Sequence, residues 1–242
     1  MNSLRKDYTK LYQLQDKFLS WWSTLQLPFY LTGGTALGRF YLNHRYSEDL
    51  DFFVNSDPDY QKYLLTIRKK IVTHFNVNLE TALFSDDFTR LMISDNEVFL
   101  KVEFVNDIEY HSGSVKQFKY GNIDTPLNII SNKLTTLIGR DEAKDVFDIV
   151  YLALNFNFNW VHVFREAKAK TNINEIDVEE RLHSFPVEWL KNVDWLVNPV
   201  NYEKFRLLLN VLADDFLLGK DNSLCPPASV KIENAELNEE VS

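Results

Sequence analysis

Two aspartates one residue apart, Asp49 and Asp51 in SEDLDFFV, stand at the head of an apolar run that reads as a buried strand. Side chains at i and i+2 of a strand share one face, roughly 7 Å apart along the backbone. Carboxylates this close repel unless a cation lies between them, and a divalent ion is the common answer. A solvated edge strand would remove the conflict, but Leu50, Phe52 and Phe53 put the segment inside a sheet. A third acid, Glu103 in VFLKVEFVND, joins the pair if its strand lies beside residues 49–54. Taken alone, Glu103 reads equally well as a solvent-facing residue paired with Lys101 on the same face. Three hard oxygen ligands at one edge would select Mg2+ or Mn2+ over zinc.

Upstream lies LTGGTAL. Gly33-Gly34 between a strand and a helix lets backbone approach a ligand, and the N–H groups opening the helix attract anions. Thr32 and Thr35 add hydroxyl donors. Glycines also serve such turns for geometry alone, so the turn gains weight from the acidic strand downstream of it. A phosphate-binding turn, a helix and then a DxD strand is the order expected for a metal-bound nucleoside triphosphate. No GK[ST] is present, which excludes the Walker A pattern.

The elements that must position these residues can be read from periodicity. Apolar residues from Leu4 to Leu25 recur at three and four residues, predicting a helix over about 3–26. FYLTGG reads as a short strand and turn, TALGRFYLNHR as helical, and DLDFFV as the next strand. DPDYQKYLLTIRKKIVTHF is a second amphipathic helix. VNLETALF, FTRLMIS and EVFLKVEFV read as an antiparallel meander extending the sheet. After Pro126 the periodicity is helical throughout, up to DDFLLGK. The expected fold is α+β, a mixed sheet flanked by helices and followed by a helical C-terminal domain. The expected domains are 1–125 (α/β), 126–220 (helical) and 221–242, an acidic disordered tail with five acids against one lysine.

Composition narrows the function. The chain has 242 residues, 45% of them apolar, enough for a real core. A net charge of -9 argues against wholesale coating of nucleic acid, leaving only local patches around Arg39, Arg45, Arg68, Lys69, Lys70 and the 164–170 segment. One cysteine, Cys225, permits no internal disulfide and no cysteine zinc site. The absence of a long apolar run predicts no membrane span and no signal peptide, and a cytoplasmic location.

The run GGTALGRFYLNHRYSEDLDFF resembles the polymerase-beta-like nucleotidyltransferases, and among them the AbiEii-like toxin nucleotidyltransferases. That group shows a GG turn, a short helix, an HRxSxDLDFF-like segment, a third acid on a later strand and a helical K...R..KDxxD pattern. The corresponding residues are Gly33, Gly34, His44, Arg45, Ser47, Asp49, Asp51 and Glu103, then Lys133, Arg140, Lys144, Asp145 and Asp148. The resemblance spans residues 30 to about 155. It implies transfer of a nucleoside monophosphate from an NTP to an acceptor hydroxyl of tRNA or protein, with a cognate antitoxin as partner. It also implies two Mg2+ (or Mn2+) ions on Asp49, Asp51 and Glu103, and nucleotide contacts from Gly33, Gly34, Thr35, Arg45, Ser47, Lys133 and Arg140. For Arg45 a bracing contact explains its position equally well, and for Asp145 and Asp148 ion pairing is the expected role. The alternatives are a small-molecule (antibiotic-type) nucleotidyltransferase and an inactive nucleotide-binding interaction module.

Overall fold

In the computed structural model, which describes residues 7–238, the chain divides into two compact units. The first comprises residues up to 36, 46–111 and 115–124; the second takes 37–45, 112–114 and everything from 125.

In the first unit, helix α1 (Tyr8–Ser23) is capped by the Asp7 side chain on Lys10 N–H and ends at Thr24. The expected start at Ser3 lies outside the described residues. Strand β1 (Tyr30–Thr32) runs into α2 (Gly33–Leu37), which continues as a π-helical turn over Gly38–Leu42. There follow β2 (Leu50–Asn55), α3 (Tyr60–Ile71) and the meander β3 (Asn76–Phe84), β4 (Phe88–Asp95) and β5 (Val98–Asp107). Two short strands were not anticipated, β6 (Lys116–Phe118) and β7 (Gly121–Ile123).

Within the described residues these strands form one seven-stranded sheet in the order β3-β4-β5-β2-β1-β7-β6. β2 pairs antiparallel with β1 and parallel with β5. β2 alternates buried and half-buried residues, so Leu50, Phe52 and Val54 face the core while Asp51 and Phe53 face the other way. On the core face Trp22 and Phe18 of α1 meet Phe52, and Phe52 stacks on Phe104 of β5 with centroids 5.6 Å apart. This aromatic layer fixes the strand that carries Asp51.

The second unit is helical: α4 (Pro126–Gly139), α5 (Ala143–Asn155), α6 (Trp160–Lys168), α7 (Glu175–His183) and α8 (Tyr202–Leu217). Phe147 packs against Trp195 and Phe205 in its core, and Trp160 against Phe216. The disorder expected from residue 221 onward does not hold for 221–238. Ile232 and Ala235 are fully buried, Asn157 bridges Lys231, and Asn222 donates to the carbonyls of Ala153 and Phe156. Its polar composition hid a few well-spaced anchors; residues 239–242 lie outside the described range. Among the described residues no helix is long and apolar enough to cross a membrane.

Candidate active site

The register places the acids. Thr32 of β1 lies opposite Asp51, Asp51 beside Glu103 of β5, and Glu103 opposite Arg90 of β4. Paired residues share a face, so one polar row crosses four strands, with Asp49 and Lys101 at its side. The expectation that the strand of Glu103 pairs beside residues 49–54 is met in parallel register. The Lys101 ammonium lies 2.9 Å from Asp49 Oδ2 and 3.3 Å from Glu103 Oε1, while Arg90 Nε donates to Glu103 Oε1 at 2.6 Å.

These neighbours divide the acids electrostatically. Asp51 is pushed up to about 7, first by burial and then by the charges of Glu103 and Asp49. Burial pushes Glu103 the same way, but the hydrogen bond from Arg90 and the Lys101 charge outweigh it and hold Glu103 below the usual carboxylate range. Among the described residues, no three Asp, Glu, His or Cys side chains are grouped so as to hold a metal ion as they stand. Lys101 and Arg90 supply the positive charge of the row.

Gly33 begins the turn at φ +68°, a backbone state side chains disfavour, and a Cβ there would lie 2.9 Å from Asp51 Oδ2. The turn is therefore built around the Asp51 carboxylate. Gly33→Ala is expected to displace Asp51 and to lower the stability of the protein by about 1–3 kcal/mol, read as a lower urea midpoint. The two threonine hydroxyls are committed to protein groups: Thr32 donates to Asp124 and Thr35 to the Asp49 carbonyl. Thr35 thus secures the DxD strand, contrary to its expected role as a phosphate donor. Ser47 is buried, its N–H donating to Tyr12 Oη and its carbonyl accepting from Gln15.

In the second unit, the basic residues singled out from sequence surround two buried carboxylates. Asp148 accepts from Arg45 Nε at 2.5 Å and Nη2 at 2.7 Å, and from His44 Nε2 at 2.7 Å, with Lys133 Nζ at 2.7 Å. Asp145 holds Lys133 at 2.8 Å and Arg140 at 2.8 Å. Burial dominates the His44 environment and lowers its pKa, keeping the imidazole neutral. Burial works against the charge of Asp148, yet Arg45 and Lys133 hold it well below the usual carboxylate range. Arg45 and Lys133 have side chains 3% and 8% exposed, so they brace this unit where phosphate contact was expected. Arg39 is likewise buried, which removes it and Arg45 from any basic surface patch. Arg140, at 56%, is open to solvent.

Asp49, Asp51, Glu103 and Gly33 are thus brought together within the first unit, while His44, Arg45, Lys133, Arg140, Asp145 and Asp148 form a separate cluster within the second. Sequence reasoning missed Arg90 and Asp124. Arg90 carries no local signal, because only the β4–β5 register sets it against Glu103. Asp124 comes just after the unanticipated β7, is fully buried, and takes His111 Nε2 at 3.0 Å besides Thr32.

Known proteins share this fold. Residues 18–221 match the family described as nucleotidyl transferase AbiEii toxin, type IV toxin–antitoxin system. No curated protein matches in sequence. Among solved structures, JHP933 from Helicobacter pylori is 22% identical over 89% of this chain and 94% of its own, with a TM-score of 0.59. A putative nucleotidyltransferase from H. pylori is 22% identical over 90% and 96%, with a TM-score of 0.56. MenT4, a nucleotidyltransferase toxin from Mycobacterium tuberculosis H37Rv, is 16% identical over 100% and 80%, with a TM-score of 0.47. At these identities the solved structures speak for the fold, whereas the family match covers most of the chain: it belongs to the AbiEii family of nucleotidyltransferase toxins of type IV toxin–antitoxin systems.

Proposed function

We propose that this nucleotidyltransferase transfers a nucleoside monophosphate from an NTP to an acceptor hydroxyl of tRNA or protein, breaking the α–β phosphoanhydride bond and releasing pyrophosphate, with Asp49, Asp51 and Glu103 holding two Mg2+ or Mn2+ ions. The observation that carries the reading is the in-register pair of Asp51 and Glu103 beside Asp49, with Asp51 pushed up to about 7 first by burial and then by these acidic neighbours. A buried carboxyl between two further acids gains from a bound cation, and three oxygen-donor side chains suit a hard divalent ion. When bound, these ions would lower the pKa of the acceptor hydroxyl and neutralise the leaving oxygen.

The chain's own groups have separate tasks. Asp49 and Asp51 present their oxygens from a strand locked by Phe52 and by the Thr35 hydroxyl on the Asp49 carbonyl. Glu103, kept ionised by Arg90 and Lys101, accepts the proton of the attacking hydroxyl. The Gly33-Gly34 backbone positions the β and γ phosphates, close to Asp51 because no Cβ intervenes. Family membership supports an NTP substrate and a cognate antitoxin.

The test is label transfer from each labelled NTP, with Mg2+, to tRNA or to a protein extract. Transfer is expected for the wild type and is expected to fall by at least about a hundredfold in Asp49→Asn and in Glu103→Gln. Undiminished transfer in both variants would sink the assigned site.

A further inference from the structure

The proposed chemistry asks of Lys101 only that it help keep Glu103 ionised, although its ammonium is the cation placed between Asp49 and Glu103. We infer that Lys101 is a positioning residue that occupies the place of a metal ion, holding Asp49 and Glu103 until a divalent cation displaces it. The inference rests on the metal-dependent reading above. Lys101 precedes Glu103 by two residues on β5 and so shares its face. Its Nζ bridges the oxygens of Glu103 on β5 and of Asp49, which immediately precedes β2.

A divalent ion bound through those same oxygens, at about 2.0–2.1 Å for Mg2+, would stand against the ammonium and repel it. The two cations therefore exclude one another. Lysine is suited to yielding, since its charge rides on a flexible four-carbon stem and this side chain is 30% exposed. Arg90 differs. Its guanidinium reaches Glu103 from β4, opposite in register, and holds that carboxylate whether or not Lys101 has left. Without metal, two cations thus stand against the acids of the row.

The measurement is Mn2+ affinity without nucleotide, from the free-ion electron paramagnetic resonance signal at one fixed pH and ionic strength. It is made on the full chain as wild type, Lys101→Met, Lys101→Arg and Asp51→Asn. Lys101→Met is expected to bind Mn2+ about tenfold or more tightly than wild type, and Lys101→Arg no more tightly than wild type. Lys101→Met should also show a larger rise in melting temperature on Mn2+ addition. If Lys101→Met fails to fold, Lys101→Gln carries the same expectation. Affinity equal to or weaker than wild type in folded Lys101→Met, or in Lys101→Gln where that variant replaces it, overturns the inference alone. An absence of Mn2+ binding in every form, or binding undiminished in Asp51→Asn, overturns the metal reading and this inference with it.

Discussion

Asp51→Asn is expected to abolish nucleotidyl transfer while making the metal-free protein more stable above neutral pH. The loss of activity, about 10^2–10^3-fold or more, comes from removing the carboxylate at the centre of the polar row. The gain in stability comes from linkage. The folded carboxyl titrates near 7 and its ordinary value is 3.8, so between these limits the folded chain binds more protons than the unfolded one. Stability therefore falls as pH rises through that window, and the full penalty stands above it. At ~1.4 kcal/mol per pKa unit, discounted because Asp51 as a residue is only half-buried, the penalty is on the order of 2–3 kcal/mol. Asparagine keeps the shape and removes the charge. Melting of both proteins with a chelator present, at about pH 5 and about pH 8, checks this. A difference that does not widen at the higher pH would contradict the burial and charge crowding assigned to Asp51.

The second large effect is structural. Asp148→Ala removes the carboxylate on which Arg45, His44 and Lys133 converge and leaves buried cations without it. Breaking a buried pair in this way costs about 3–5 kcal/mol, a large part of the ~5–15 kcal/mol that holds a typical protein folded. The expected result is a urea midpoint far below that of the wild type, or insoluble protein. The acid response has a definite sign. Because the folded Asp148 pKa is depressed, its stabilisation is complete above the ordinary carboxylate value and is lost as pH falls through the folded one. Asp148→Asn should thus be destabilised at neutral pH and show a shallower acid-induced loss. Equal acid slopes would count against the ion cluster.

The period of two in DLDFFV and VFLKVEFV was enough to put Asp49, Asp51 and Glu103 on sheet faces, and the three-to-four spacing located the helices. What periodicity lacks is register, so the neighbour of Glu103 could not be named until β2 and β5 were seen in parallel alignment. β6 and β7 were invisible because three-residue strands have no period to read, and they exist through pairing with each other and with β1. Arg45 misled by adjacency. Four residues before Asp49 in sequence, it belongs to the other unit, and its partner Asp148 is 103 residues away. The acidic tail misled by average composition, since a few spaced residues such as Ile232 and Asn222 anchor it.

That long separation also bears on how the protein is made. His44 and Arg45 leave the ribosome well before Asp148 does, and at ~5–20 residues per second the 103 intervening residues take roughly 5–20 s to synthesise. During that interval Arg45, in the link between the glycine turn and the DxD strand, carries a charge whose buried counter-charge has not yet been translated. A chain terminated before α5 keeps every acid of the polar row and still lacks what anchors residues 37–45. Residues 37–45 thus gain their buried carboxylate only once α5 has been synthesised, although they precede the DxD strand in the chain.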